Sequence, residues 1–150
     1  IIKQNLQKMI DNNINFLVLG NKERIKNGYP TLFATIENAI NKTSQNNNKT
    51  LALFIDYGER FQLEEFAKAR NKDQSSTAYE LLSKINNGLP LFDMVLRTSG
   101  EMRLSGFGPL ASLAEFVSSK KNLPELTDKD LADALIEYSK RQRRFGARPT

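Results

Sequence analysis

An α/β domain built on a mostly parallel sheet, with helices flanking it, is what this sequence predicts. Apolar runs of strand length at Ile14–Leu19, Leu51–Ile55 and Leu91–Leu96 alternate with longer segments of helical periodicity, the pattern of βαβ units. The run Leu51-Ala52-Leu53-Phe54-Ile55 is continuously apolar rather than alternating, as a strand covered on both faces would be. Each run stops at a turn signal or a charge: Gly20-Asn21, Asp56-Tyr57-Gly58 and Arg97. In open α/β sheets ligands gather outside such carboxyl ends.

The chain starts with Ile2, Leu6, Met9 and Ile10 at helical spacing, closed by Asn12-Asn13, so residues 1–12 read as a helix. The strand Ile14–Leu19 then feeds a turn. Pro30 enters the first turn of an amphipathic helix carrying Leu32, Phe33, Ile36, Ala39 and Ile40. An Asn-rich loop, 43–49, leads into the second strand. Residues 59–71 read as a helix with Phe61, Leu63, Phe66 and Ala69 inside. Residues 75–85 read as another, capped by Ser75 or Ser76 and stopped by Asn87-Gly88. The strand Leu91–Leu96 follows, and 109–117 is apolar but too short to divide between helix and strand. Thr127 caps a last helix whose first turn carries Asp128 and Asp130. Leu131, Ala134, Leu135, Ile136 and Tyr138 supply its buried face.

A length of 150 residues, 39% hydrophobic and 26% charged, suits one globular domain over 1–150. No run approaches the roughly 18–20 apolar residues of a membrane span, and Ile1-Ile2-Lys3-Gln4 lacks the parts of a signal peptide. The chain also lacks an initiator Met, which leads us to expect a piece of something longer. There is no Cys and no His, which removes thiol redox chemistry, disulfides, Ser-His-Asp and Cys-His catalysis and ordinary zinc sites. A cytoplasmic protein is the simplest reading. Chemistry then falls to carboxylates, Arg, Lys, hydroxyls or an oxygen-bound metal such as Mg²⁺. The net charge of +5 favours an anionic partner, either nucleic acid or a phosphorylated small molecule.

The first candidate site is Arg97, Arg103 and Ser105. Guanidinium forks match phosphate oxygens, a hydroxyl adds a donor, and Gly100 and Gly106 admit close backbone approach. The plainer alternative pairs Arg97 with Glu101 or Asp93 on the surface. Glu115 is the second, a carboxylate within the apolar run Leu110–Val117, where lone acids seldom sit without a partner or metal; otherwise it is an exposed residue on an amphipathic turn. The third is the basic tail with Arg141, Arg143, Arg144 and Arg148, read first as a solvated helix end. The fourth, Asp56-Tyr57-Gly58-Glu59-Arg60, is expected on the rim that Arg97 occupies, or is simply a strand-to-helix turn.

Taken together, these motifs resemble a known family. The run Phe92-Asp93-Met94-Val95-Leu96-Arg97-Thr98-Ser99-Gly100-Glu101-Met102-Arg103-Leu104-Ser105-Gly106-Phe107 is similar to the signature of cis-prenyltransferases, the undecaprenyl diphosphate synthase family. Agreement continues through Ala114-Glu115-Phe116 and Leu123-Pro124-Glu125-Leu126 to Arg141-Gln142-Arg143-Arg144-Phe145-Gly146. Upstream, Phe54-Ile55-Asp56-Tyr57-Gly58-Glu59-Arg60 resembles the family's strand-end Asn-Tyr-Gly-Gly-Arg motif. The resemblance implies a homodimeric, Mg²⁺-dependent transferase that condenses isopentenyl diphosphate with an allylic diphosphate into a cis-polyprenyl diphosphate. It implies transient membrane association through the lipid product and no nucleic acid. Carried over, Arg97, Arg103 and Ser105 hold the diphosphate of isopentenyl diphosphate, and Glu115 helps ligate Mg²⁺, in some descriptions from the neighbouring subunit. Arg144 and Gly146 match the Arg-any-Gly ending that reaches the partner's active site.

The departures bear on activity. Asp56 and Glu59 replace the family's Asn and Gly, the interval from Ser105 to Glu115 is one residue shorter, and Gly108-Pro109 stands where the family is apolar. There is no Asp-Gly pair and no Trp, so the family's Asp-Gly-Asn phosphate loop, with its Mg²⁺-binding Asp and allylic site, is absent. The expectation is the C-terminal portion of a longer domain of roughly 230–250 residues, with no catalytic residue of its own and no catalysis alone. Two rivals accompany it: a non-catalytic partner subunit of a heteromeric cis-prenyltransferase, and a basic nucleic-acid-binding domain.

Overall fold

The structure is a computed structural model that describes residues 1–142. It divides into a compact unit, Ile1–Leu89, and a second that opens at Pro90. The expected alternation is present. Unit 1 contains α1 (Ile2–Asp11), β1 (Ile14–Leu19), α2 (Lys22–Gly28), α3 (Pro30–Thr43), β2 (Lys49–Phe54), α4 (Glu59–Lys72) and α5 (Ala78–Ile85). Unit 2 contains β3 (Met94–Arg97), a 3-10 turn at Pro109–Ala111, β4 (Glu115–Ser118), a second such turn at Leu123–Glu125, and α6 (Asp128–Ser139).

In unit 1, β1 and β2 run parallel, from Ile14 opposite Lys49 to Leu19 opposite Phe54. The period of two in a strand puts Phe16 and Val18 on one face, where they meet Met9 of α1, Ile25 of α2, and Ile36 and Ala39 of α3. Burying each large member contributes about 1.5–3 kcal/mol. The helical spacing of α1 predicted Met9 inside, and it is buried. Thr43 is fully buried at the end of α3; its hydroxyl donates to the carbonyl of Ala39 at 2.8 Å and accepts the Phe16 N–H at 3.1 Å. That single side chain pins α3 to the edge of β1.

Several expectations change. Helix α2 stands where only a turn was expected. Asn21 accepts from the Arg24 N–H as its cap, but within seven residues Ile25 alone is buried, so no period was visible. Strand β2 starts two residues early and is not covered on both faces: Lys49, Thr50 and Leu51 are exposed. Its one strand partner among the described residues is β1. In α4, Leu63 is exposed and Gln62 is buried, because Gln62 receives the Tyr57 hydroxyl and shares its face with Phe66 and Ala69 at i+4 and i+7. The cap of α5 is Thr77, in a capping box with Glu80, and not Ser75 or Ser76. Both of those hydroxyls are taken by Asp73.

In unit 2, β3 and β4 are parallel, Met94 opposite Glu115 and Arg97 opposite Ser118. The ambiguous stretch 109–117 resolves into the 3-10 turn and β4. Thr127 caps α6 with Asp130 as its capping-box partner, as expected. The buried face of α6 is narrower than expected: Ala134 is buried while Leu131, Leu135 and Ile136 are exposed. The helix packs against the four-residue β4, and only Ala134, buried, and Tyr138, half-buried and four residues on, turn away from solvent on one face. Among the described residues no helix is long and apolar enough to cross a membrane.

Candidate functional site

Strand β3 delivers Arg97 to its carboxyl end, half-buried. The chain then reverses through Ser99 and Gly100, at φ 64 and 67, and again through Ser105 and Gly106, at φ 50 and 76. A left-handed serine costs about 1–3 kcal/mol, so something must hold it there. The segment after β4 does so for Ser99. The Ser99 N–H donates to the Lys121 carbonyl and the Gly100 N–H to that of Ser119, both at 2.8 Å. The Ser99 hydroxyl donates to Asn122 Oδ1 at 3.0 Å, and the Ser118 hydroxyl to the Glu101 carbonyl at 3.2 Å. Asn122 is itself fixed, since its N–H donates to the Glu125 carboxylate at 2.7 Å.

The loop brings Ser105 back to Arg97, whose Nη2 donates to Ser105 Oγ at 3.3 Å. Arg97 has no acid within salt-bridge distance among the described residues, and its Nε is buried with no hydrogen-bond partner. A buried, unbonded cationic donor is costly, and an anion at the strand end would relieve it. The surface pairing weighed from the sequence therefore falls elsewhere: Glu101 takes Arg103, at 2.8 Å. Arg103 is exposed on the same loop with its guanidinium committed to that acid. The pair is solvated, so exchanging Glu101 for a stronger anion loses little.

Glu115 lies at the other end of the ladder. It opens β4 opposite Met94, whereas Arg97 lies opposite Ser118. Three residues of strand separate the two levels by about 10 Å. The Glu115 carboxylate accepts from Arg141 at 3.3 Å, and Arg141 also pairs with Glu137. The two carboxylates, Glu137 foremost, push the Arg141 guanidinium above its usual range. No group of three or more metal-binding side chains occurs among the described residues. Glu115 therefore fits Mg²⁺ in one mode only, as a single carboxylate on an ion otherwise held by phosphate, water or another subunit.

Arg144 and Gly146 lie outside the described residues. In unit 1, the Asp56 turn has a structural explanation for its departure from the family motif: Asp56, at φ 50, forms an ion pair with Arg24 of α2, which an Asn could not. Sequence reasoning missed the clamp of Ser99, Ser118 and Asn122. Its one legible signal was Asn122-Leu123-Pro124-Glu125, a capping-box pattern.

Compared with known proteins, residues 1–146 match the family model of undecaprenyl diphosphate synthase. The isoprenyl transferase of Geobacter sulfurreducens is 37% identical over 151 residues, which cover 93% of this chain and 59% of that protein. That of Rickettsia bellii is 34% identical, covering 98% and 66%. The chain thus spans about three fifths of the length of such relatives. A probable undecaprenyl diphosphate synthase from Campylobacter jejuni matches with a TM-score of 0.83 at 26% identity, over 97% of this chain and 69% of that one. Lavandulyl diphosphate synthase from Lavandula x intermedia, solved with dimethylallyl diphosphate, matches in fold with a TM-score of 0.84 at 24% identity, over 97% and 66%.

Proposed function

Because the chain belongs to the undecaprenyl diphosphate synthase family, we propose that it serves the condensation of isopentenyl diphosphate with an allylic diphosphate to give a cis-polyprenyl diphosphate. The observation that carries this reading is the Arg97–Ser105 pair at the end of β3, with Arg97 Nε buried and unbonded. Those donors suit a diphosphate, and Arg103 adds a second guanidinium once it leaves Glu101. Arg144 and Gly146 would contribute from a partner copy in a homodimer.

In the reaction a carbon–carbon bond forms between the two isoprenoids, the allylic diphosphate leaves with its bonding electrons, and the isopentenyl unit loses a proton. Arg97, Ser105 and Arg103 hold the diphosphate that is retained, fixing its chain for attack. Glu115 would hold Mg²⁺ together with phosphate oxygens, and when bound that ion neutralises charge on the leaving diphosphate. The separation of Glu115 from Arg97 along the ladder supports its acting in a site other than the one its own Arg97 serves. The Asp-Gly-Asn loop that would hold the allylic diphosphate has no counterpart in the sequence. Accordingly the 150 residues are one portion of a longer domain and do not elongate a prenyl chain alone.

Titration calorimetry with isopentenyl diphosphate tests the binding half, and saturable binding is expected. Incubation with farnesyl diphosphate, labelled isopentenyl diphosphate and Mg²⁺ tests the rest, and no elongated product is expected. No measurable binding would remove the assignment of the Arg97 site; elongation by the chain alone would remove the assignment of incompleteness.

A further inference from the structure

The loop from Thr98 to Phe107 carries Arg103 and Ser105, so whatever fixes its path also decides whether those groups meet a ligand at Arg97. Its far end is held by the stack of Phe107 on Phe92, 5.9 Å between ring centroids, and by the Phe107 N–H on the Leu104 carbonyl at 3.0 Å. Its near end reverses through Ser99 at φ 64 and Gly100 at φ 67. Between the two ends Met102 and Arg103 are exposed. The direction in which the chain leaves the first turn therefore sets where the rest of the loop runs.

Glycine takes a left-handed φ without steric cost and a serine does not. Ser99 offsets that cost with a bond glycine could not make, its hydroxyl donating to Asn122 Oδ1 at 3.0 Å. Two backbone bonds, from the Ser99 and Gly100 N–H groups to the carbonyls of Lys121 and Ser119, depend on no side chain of the turn. The Asn122 bond does, and it runs to a residue that is itself anchored. The side chain and the N–H of Asn122 both bond Glu125 in the capping box of the Leu123–Glu125 turn, which Pro124 stiffens. Next to it, the Lys121 ammonium reaches both carboxylate oxygens of Asp130 in the first turn of α6, at 2.7 and 2.8 Å. Asn122 is thus a fixed post, and Ser99 is the point at which the loop is tied to it.

We propose that Asn122 is a positioning residue for diphosphate binding: acting through Ser99, it keeps the loop in the form that sets Ser105 against Arg97. This inference rests on the assignment of the Arg97 site to isopentenyl diphosphate. A ligand that needs one form of a loop binds more weakly in proportion as that form is less populated. Without Asn122 the left-handed Ser99 loses its side-chain anchor and its turn relaxes towards ordinary backbone. Arg103 and Ser105 then leave the strand end for part of the time. The Ser99–Asn122 bond is exposed, so its contribution lies at the low end for a hydrogen bond, and the change in affinity it implies is roughly threefold to fivefold.

The test is titration calorimetry of the full chain with isopentenyl diphosphate, alongside urea unfolding and hydrogen exchange of single amides. Asn122→Ala should raise Kd roughly threefold to fivefold and speed exchange of the Phe107 amide. The Glu115 amide, bonded to the Asp93 carbonyl at the far end of the ladder, should exchange as before. A purely structural side chain would lower the urea midpoint and leave the Kd of the folded chain alone. Rescue separates the two roles: with Ser99→Gly added the turn needs no anchor, and the double variant should return to within about twofold of the parent. Should Asn122→Ala not fold, Ser99→Ala against Ser99→Gly decides. Both lose the hydroxyl and only alanine keeps the left-handed cost, so alanine alone should weaken binding. An unchanged Kd in Asn122→Ala, or a double variant that binds no better than the single one, overturns the proposal, as do equal affinities of Ser99→Ala and Ser99→Gly. A parent chain that does not bind isopentenyl diphosphate overturns the substrate assignment beneath it, whereas a parent that binds and an Asn122→Ala variant that binds equally well overturn the positioning role alone.

Discussion

Replacing Arg97 by Met separates a binding role from a structural one, because the two predict opposite signs for stability. Met keeps the unbranched apolar stem that packs beside β3 and removes the guanidinium. The lost contact within the chain is one long hydrogen bond, 3.3 Å to Ser105, worth about 0.5 kcal/mol at the low end of such bonds. The gain is removal of a buried Nε that has no partner, a group that costs about 1–3 kcal/mol to leave unmade. The variant should therefore be as stable as the parent or more so, by about 1 kcal/mol. Binding should move the other way: losing charge-assisted bonds to a diphosphate costs about 1.5–3 kcal/mol, roughly a tenfold to 150-fold rise in Kd. Urea unfolding gives the first quantity and calorimetry with isopentenyl diphosphate the second. A variant destabilised by more than about 2 kcal/mol with unchanged affinity would show that Arg97 is a structural cation and refute the reasoning.

Two further tests probe the scaffold of unit 1. At Gly20, φ is +125 and an added Cβ would lie 1.9 Å from the Ile55 carbonyl oxygen, so Gly20→Ala should destabilise by at least about 3 kcal/mol, seen as a lower urea midpoint; a change within experimental error would mean that the strand ends separate freely. Burial foremost, and the charge of Glu59 after it, push the Tyr57 phenol from 10.0 up to about 12. The folded chain thus favours neutral Tyr57, and this contribution is fully present below pH 10 and lost as pH rises towards about 12. The free energy of unfolding should fall less steeply across that window for Tyr57→Phe than for the parent, and identical slopes would contradict the assignment.

The sequence was legible where pattern and chemistry are local. Ile14–Leu19 was read to the residue, since a strand bounded by Asn13 and Gly20 declares both ends. Thr127 was recognisable as a cap because the acids Asp128 and Asp130 follow it in the first turn, and the structure adds that Asp130 closes a capping box with it. Errors arose where a distant group decided. Ser75 and Ser76 look like caps until Asp73 claims both hydroxyls. Gln62 looks like a surface residue until Tyr57 supplies its partner.

The site divides along the same line. The sequence by itself determined which groups are available: two arginines and a serine around a strand end, one acid in an apolar run, and no cysteine or histidine. Those choices are covalent and independent of folding. Only the tertiary structure decided how they are used. It placed Ser105 against Arg97, gave Glu101 to Arg103, and set Glu115 beside Arg141 at the opposite end of the ladder. It also held Ser99 in a left-handed turn through Asn122, 23 residues on. Such pairings depend on which strand lies beside which and in what register, and register follows from packing over the whole unit, which no local run of residues encodes.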